Sequence, residues 1–127
     1  MPTLEHFAIY AADPHALKAF YERALGLRVV RDNGTGDPPG YFLADERGTA
    51  LEVIGRPAGE PGGSQRYVCH VAFRVPDFTA ARADLERRGV EFEAGTEVDD
   101  AAMQTAFFHD PEGNRIQIVQ RLKPLEI

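Results

Sequence analysis

A chain of 127 residues, 43% hydrophobic and 27% charged, is of single-domain size with enough apolar material for one core, which excludes an intrinsically disordered polypeptide. Its net charge of −6, from 14 basic against 20 acidic residues with no basic stripe, opposes a nucleic-acid partner. No run approaches the roughly 20 apolar residues that span a bilayer, and Cys69 is the single cysteine, which excludes an intramolecular disulfide and a cysteine-based zinc site. This cysteine usage, and the lack of a visible secretory signal in MPTLEHFAIYAAD, fit a cytoplasmic setting.

In chain order, Leu4 to Tyr10 alternates as a short strand. Pro14 to Leu25 follows as a helix, with Asp13 as N-cap and Pro14 at the first helical position, where its missing N–H costs nothing. Leu17, Phe20, Tyr21 and Ala24 fall at helical spacing, and Gly26 stops the helix. Leu27 to Arg31, Gly40 to Ala44 and Ala50 to Ile54 are strand-like, separated by DNGTGDPPG and DERGT. A second strand–helix pair spans Val68 to Val75 and Phe78 to Arg88, with Asp77 as cap and Gly89 as stop. Strands are then expected near Val90 to Phe92, Thr105 to Phe108 and Ile116 to Gln120.

The two halves repeat. LEHFAIYAAD lies over VCHVAFRVPD at an offset of 64 residues, and FLADERG lies over FFHDPEG at an offset of 65. Two matches at nearly one offset indicate duplication. The expected architecture is one α+β domain over 1–127: unit one at about 4–54, a linker at 55–66, and unit two at about 67–121. Six of the twelve linker residues are Gly or Pro. Its GEPGG lacks the Lys-Ser/Thr ending of a phosphate-binding loop. The two tandem βαβββ units are expected to be related by a pseudo-twofold.

Strand alternation decides which side chains share a face. His6, Ala8 and Tyr10 point one way; Phe7, Ile9 and Ala11 point toward the helices. In the second half His70, Ala72 and Arg74 share the face away from the helices, opposite Cys69, Val71, Phe73 and Val75. The last strand of each half leaves Glu52 and Gln117 on that same face. Thus His6 matches His70, and Glu52 matches Gln117, under the repeat. Two imidazoles, a carboxylate and an amide oxygen can bind a divalent cation with positions left open. By themselves they fit equally a pair of hydrogen-bonded structural histidines.

His15, in the first turn of a helix where a cation is disfavoured, reads as a solvated surface residue. His109 reads as support for the Asp110-Pro111 turn, and Cys69 as a small core residue. The run RADLERR from Arg82 to Arg88 reads as a solvated helix face with ion pairs.

LEHFAIYAAD, FYERALGL, CHVAFRVPD and above all FFHDPEGNRIQIV also carry a resemblance. Over residues 4 to 121 the chain resembles the vicinal oxygen chelate superfamily, the glyoxalase, bleomycin-resistance and extradiol-dioxygenase group. The resemblance implies a cupped mixed sheet with helices on the outer face. It also implies one divalent metal (Zn, Ni, Co, Mn or Fe) held by His6, Glu52, His70 and Gln117. It further implies a small-molecule substrate and a homodimer, with no nucleic-acid or membrane partner. In such proteins the metal chelates two neighbouring substrate oxygens and stabilises an enolate-type intermediate.

The activity implied is that of a glyoxalase I-like lyase or isomerase, with Glu52 as the catalytic base. Glyoxalase I relatives carry a second glutamate where this chain has Gln117, which cannot act as a base. Two other classes stay open: a ring-cleaving or other non-haem iron dioxygenase, and a metal-free binding protein of the bleomycin-resistance type. Tyr10, Tyr41, Arg74 and Phe107 are the candidate substrate-lining residues, with Arg74 the one to test against an anion.

Overall fold

The computed structural model describes residues 5–60, 70–123 and 125. Asp13 has non-helical backbone and its carboxylate accepts from the Ala16 amide at 3.0 Å, which starts helix α1 at Pro14–Leu25. Gly26 ends it with φ of 67°, a left-handed conformation that glycine adopts without a Cβ penalty. Asp77 caps helix α2, Phe78–Arg87, in the same manner through the Ala80 amide at 3.0 Å. Both caps stand where the sequence places them.

The chain divides into two compact units, Met1–Gly63 and Ser64–Ile127. Unit one carries β1 (His6–Ala11), α1, β2 (Arg28–Asn33), β3 (Gly40–Ala44) and β4 (Ala50–Gly55). Its mixed sheet runs β1-β4-β3-β2, with β1 parallel to β4 and the other pairs antiparallel. Unit two carries β5 (Val71–Arg74), α2, β6 (Val98–Asp99), β7 (Met103–His109) and β8 (Arg115–Arg121). Its sheet runs β5-β8-β7-β6 with the same parallel and antiparallel pairs. The fold is α+β and each unit has βαβββ topology, as the repeat requires. Among the described residues no helix is long and apolar enough to cross a membrane.

Burial follows the alternation. Ile9, Ala11, Leu51, Val53, Leu43, Ile116, Ile118 and Phe108 are buried on the helix-facing sides, while Glu52 and Gln117 are only half-buried. Helix α1 packs on β1, β3 and β4 and buries Pro14, Leu17, Phe20 and Tyr21; α2 packs on β8 and buries Leu85. Phe7 departs from its parity. It lies at the start of β1, and 44% of its surface remains exposed.

A second departure concerns the strand expected near Val90 to Phe92. Phe92 makes only an isolated bridge to Phe108, and the edge strand forms later, at Val98–Asp99. Phe92 is held edge-on against Phe108 with the Arg82 guanidinium 4.7 Å from its ring centroid. The Glu93 amide donates to Phe107 O at 2.8 Å, and Gly95, with φ of 81°, turns the chain before pairing resumes. In the turn after β6, Asp100 accepts from the Ala102 and Met103 amides, which hold its carboxyl below the usual carboxylate range. The expected strand opening at Leu4, the start of the second strand at Val68, the later part of the linker and the core placement of Cys69 lie outside the described residues.

Helix α2 bears the ion pairs expected of RADLERR: Arg82 with Glu86 at 3.3 Å, and Asp84 with Arg87 at 3.2 Å and Arg88 at 3.0 Å. The arginines hold the Asp84 carboxyl below its ordinary range, Arg88 most strongly. On an exposed helix such pairs are screened by solvent and contribute little.

Candidate metal centre

Parallel pairing of β1 with β4 sets Ala8 opposite Glu52 and Ala50 opposite His6. A methyl group at position 8 leaves room for the Glu52 carboxylate to reach along the face toward His6. Glu52 Oε1 lies 3.6 Å from His6 Nε2. The other imidazole nitrogen, Nδ1, is 2.8 Å from Glu5 Oε1. An ionised carboxylate only accepts, so Nδ1 carries a hydrogen, and in the neutral imidazole Nε2 presents a lone pair.

In that neutral form Nε2 and Glu52 Oε1 are two acceptors facing each other. Ligands about 2.1 Å from a tetrahedral ion stand roughly 3.4 Å apart, so this pair has the chemistry and spacing of two metal donors. The Phe42 ring meets the imidazole edge-on, at 5.3 Å between centroids, and restricts its rotation. Glu5 supplies the kind of carboxylate that orients a ligating histidine.

Unit two repeats the frame with different chemistry. His70 meets Phe107 edge-on, again at 5.3 Å, and Phe107 pairs directly with Gln117 across β7 and β8. Gln117 does not hang free: its Nε2 donates to Thr105 Oγ1 at 2.6 Å. Thr105 is buried, and its hydroxyl donates to the Ile118 carbonyl at 2.9 Å. Unit one thus brings an imidazole and a carboxylate together on the face away from its helix, whereas in unit two His70 and Gln117 share Phe107 as a neighbour. No three His, Cys, Asp or Glu side chains cluster as a metal site among the described residues.

The substrate-lining candidates divide. Tyr10 shares the His6 face and is 57% exposed, and Phe107 lies against His70. Arg74 is exposed beside a shallow cavity of about 170 Å³ lined also by Val75, Pro76, Gln120 and Arg121. Tyr41 does not belong with them. It pairs with the inward-facing Val53 and is buried on the helix side, where its hydroxyl meets His15 Nδ1 at 2.7 Å. His15 is accordingly a partner of Tyr41 rather than a purely solvated residue.

His109, expected to support the turn, stands 3.7 Å through Nε2 from Glu93 Oε2. Glu93 also receives both arms of the buried Arg115 guanidinium, at 2.8 and 2.9 Å. The same guanidinium carbon lies 3.6 Å from the Phe107 ring centroid. The turn itself is held by Asp110, which accepts from the Glu112 and Asn114 amides at 2.9 Å each.

Alternation alone identifies neither the Arg115–Glu93 pair nor the Thr105 anchor. The first joins residues 22 apart in sequence, and the second depends on a diagonal neighbour across two strands. The available signal for Thr105 was its offset of 65 from Gly40, a polar residue standing over a glycine.

The Glyoxalase/Bleomycin resistance protein/Dioxygenase superfamily matches residues 3–118. A lactoylglutathione lyase of Pseudomonas aeruginosa is 31% identical, over 91% of this chain and 80% of its own length. Among solved structures, TnmS3, an antibiotic binding protein from Streptomyces sp. CB03234, superposes with a TM-score of 0.73 at 22% identity, covering 95% of this chain and 97% of that one. A variant of FosX, the genomically encoded fosfomycin resistance protein of Listeria monocytogenes, complexed with Mn(II) and 1S,2S-dihydroxypropylphosphonic acid, gives 0.76 at 14% identity, covering 93% and 91%. At these identities the two structures establish a shared fold. The match over 3–118 and the 31% identical relative place the sequence itself: the chain belongs to the Glyoxalase/Bleomycin resistance protein/Dioxygenase superfamily.

Proposed function

We propose that the protein is a divalent-metal-dependent lyase or isomerase of the glyoxalase I type, with His6, Glu52, His70 and Gln117 as ligands and Glu52 as the proton-transfer group. The observation that carries this is the facing pair of His6 Nε2 and Glu52 Oε1, 3.6 Å apart, which with a neutral imidazole are two lone-pair donors at ligand spacing. Similarity to a lactoylglutathione lyase supports the reaction class. When bound, the cation supplies Lewis-acid stabilisation of negative charge developing on substrate oxygens.

The chain's own residues do the rest. Glu52 takes a proton from one substrate carbon and returns it to the neighbouring carbon. An amide has no basic site at neutral pH, so Gln117 contributes an oxygen donor and takes no proton, and the chemistry runs on one base. Tyr10 and Phe107 provide apolar walls, and Arg74 a contact for an anionic substrate group. A small-molecule substrate, a homodimer and a cytoplasmic setting belong to the same reading.

Metal analysis of protein purified without chelator or affinity tag tests it. Near one equivalent of metal per chain is expected after loading with Zn, Ni, Co, Mn or Fe. Turnover of hemithioacetals should vanish on chelation and return with the ion. Less than about a tenth of an equivalent after every loading would sink the proposal and leave the metal-free binding protein. Iron dependence with oxygen uptake would instead establish the dioxygenase.

A further inference from the structure

Gln117 can present either end of its amide, and only the oxygen can ligate a cation. Within unit two the choice is made by the chain. Thr105 is 1% exposed, and its single hydroxyl hydrogen is used by the Ile118 carbonyl at 2.9 Å. With that hydrogen so used, Thr105 Oγ1 has lone pairs left and is best met by a donor. The Gln117 Nε2 group is that donor at 2.6 Å, which turns Oε1 to the opposite side. The reversed amide would either set two acceptors against each other or draw the hydroxyl away from Ile118 O, at a cost of about 1 kcal/mol or more.

Resting on the ligand reading above, we infer that Thr105 is the positioning residue that fixes Gln117 with its carbonyl oxygen, and never its amino group, toward the metal. Unit one has no counterpart: Gly40 occupies the matching place, at an offset of 65. A Cβ there would stand 3.3 Å from Val53 O, the carbonyl that matches Ile118 O. Glu52 is therefore left without a hydroxyl anchor, and among the described residues the one polar contact of its carboxylate is His6.

The experiment compares wild-type protein with Thr105→Val, Thr105→Ser and Gln117→Ala. Its readouts are Co(II) affinity by equilibrium dialysis and the visible absorption of the Co(II)-loaded protein. Valine keeps the shape and removes the acceptor; serine keeps the hydroxyl. Thr105→Val is expected to weaken Co(II) binding about tenfold or more and to alter the spectrum, as Gln117→Ala does. Thr105→Ser should bind within about twofold of wild type, and thermal melts should show all variants folded. Wild-type binding with an unchanged affinity and spectrum in Thr105→Val would overturn the role of Thr105 alone. Loss in Thr105→Ser equal to that in Thr105→Val would also overturn it, since the effect would then be one of packing. A wild-type protein that binds no Co(II) overturns the ligand reading and this inference together.

Should Thr105→Val fail to fold, the Gln117 side-chain amide in the metal-free wild-type protein decides. Slow hydrogen exchange of its N–H toward Thr105 is expected, and free exchange would refute the anchor.

Discussion

Two half-sites built on one topology differ in how tightly they hold their oxygen donor. In unit one Glu52 faces His6 across 3.6 Å and has Gly40 diagonally beside it. In unit two Gln117 occupies the matching place and is tied by a 2.6 Å hydrogen bond to Thr105, itself buried and satisfied. The histidines and phenylalanines are nearly superimposable in their relations: 5.3 Å and 81° for His6–Phe42, 5.3 Å and 84° for His70–Phe107. The two halves agree where they orient imidazoles and differ at the oxygen-bearing side chain, and under the proposed function that difference separates a proton-transfer base from a fixed neutral donor. A proton shuttle has to move between two carbons, which a buried anchor would oppose; a spectator ligand gains from being preorganised.

The comparison is tested most severely at Glu52. Glu52→Gln makes the two half-sites alike in charge and removes the base. Turnover is expected to fall about 10²- to 10⁴-fold, the usual worth of a positioned general base. Circular dichroism and melting should be unchanged, and full activity in that variant would refute the role.

A milder change moves the anchor rather than the base. Gly40→Thr places a hydroxyl beside Glu52, with the Val53 carbonyl needing to yield by a few tenths of an ångström. It is expected to lower kcat about tenfold, a barrier increase near 1.4 kcal/mol, while leaving metal affinity within about twofold. Equal loss of both would mean that the restraint of Glu52 is not what separates the halves.

The smallest effect is expected from Gln117→Glu. A carboxylate cannot donate to Thr105, so the hydroxyl must turn to it and leave Ile118 O, at about 1 kcal/mol of stability. The melting midpoint should fall by a few degrees, with metal binding retained. A carboxylate now stands in both halves, so a gain in hemithioacetal isomerisation is expected; no gain would weaken the comparison with glyoxalase I without touching the fold.

Much of this was legible in the residues themselves. Asp13, Pro14 and Gly26 delimit α1 by capping chemistry that depends on nothing distant. The period of two in β1 and β4 puts His6 and Glu52 on one face, because successive side chains in any strand must alternate. Tyr41 shows where attention to residue type misleads. An aromatic suggested a pocket wall, yet its parity matches Leu43 and opposes Phe42, and it packs under α1 against His15. The expected strand at Val90 to Phe92 failed for another reason: Phe92 packs its ring between Phe108 and Arg82, and its backbone makes only an isolated bridge.

The single domain-sized chain with one cysteine and four histidines determined, from sequence alone, that any metal must rest on imidazole and oxygen, and the repeat paired His6 with His70 and Glu52 with Gln117. These follow from composition and from local periodicity, which the chain carries wherever it folds. Tertiary structure decided the rest: that His6 Nε2 faces Glu52, that Gln117 is hydrogen-bonded to Thr105, and that Arg115 is bound to Glu93. Each depends on cross-strand register or on contacts between segments distant in sequence, and a hydrogen-bond direction is fixed only when both partners and their remaining valences are in place.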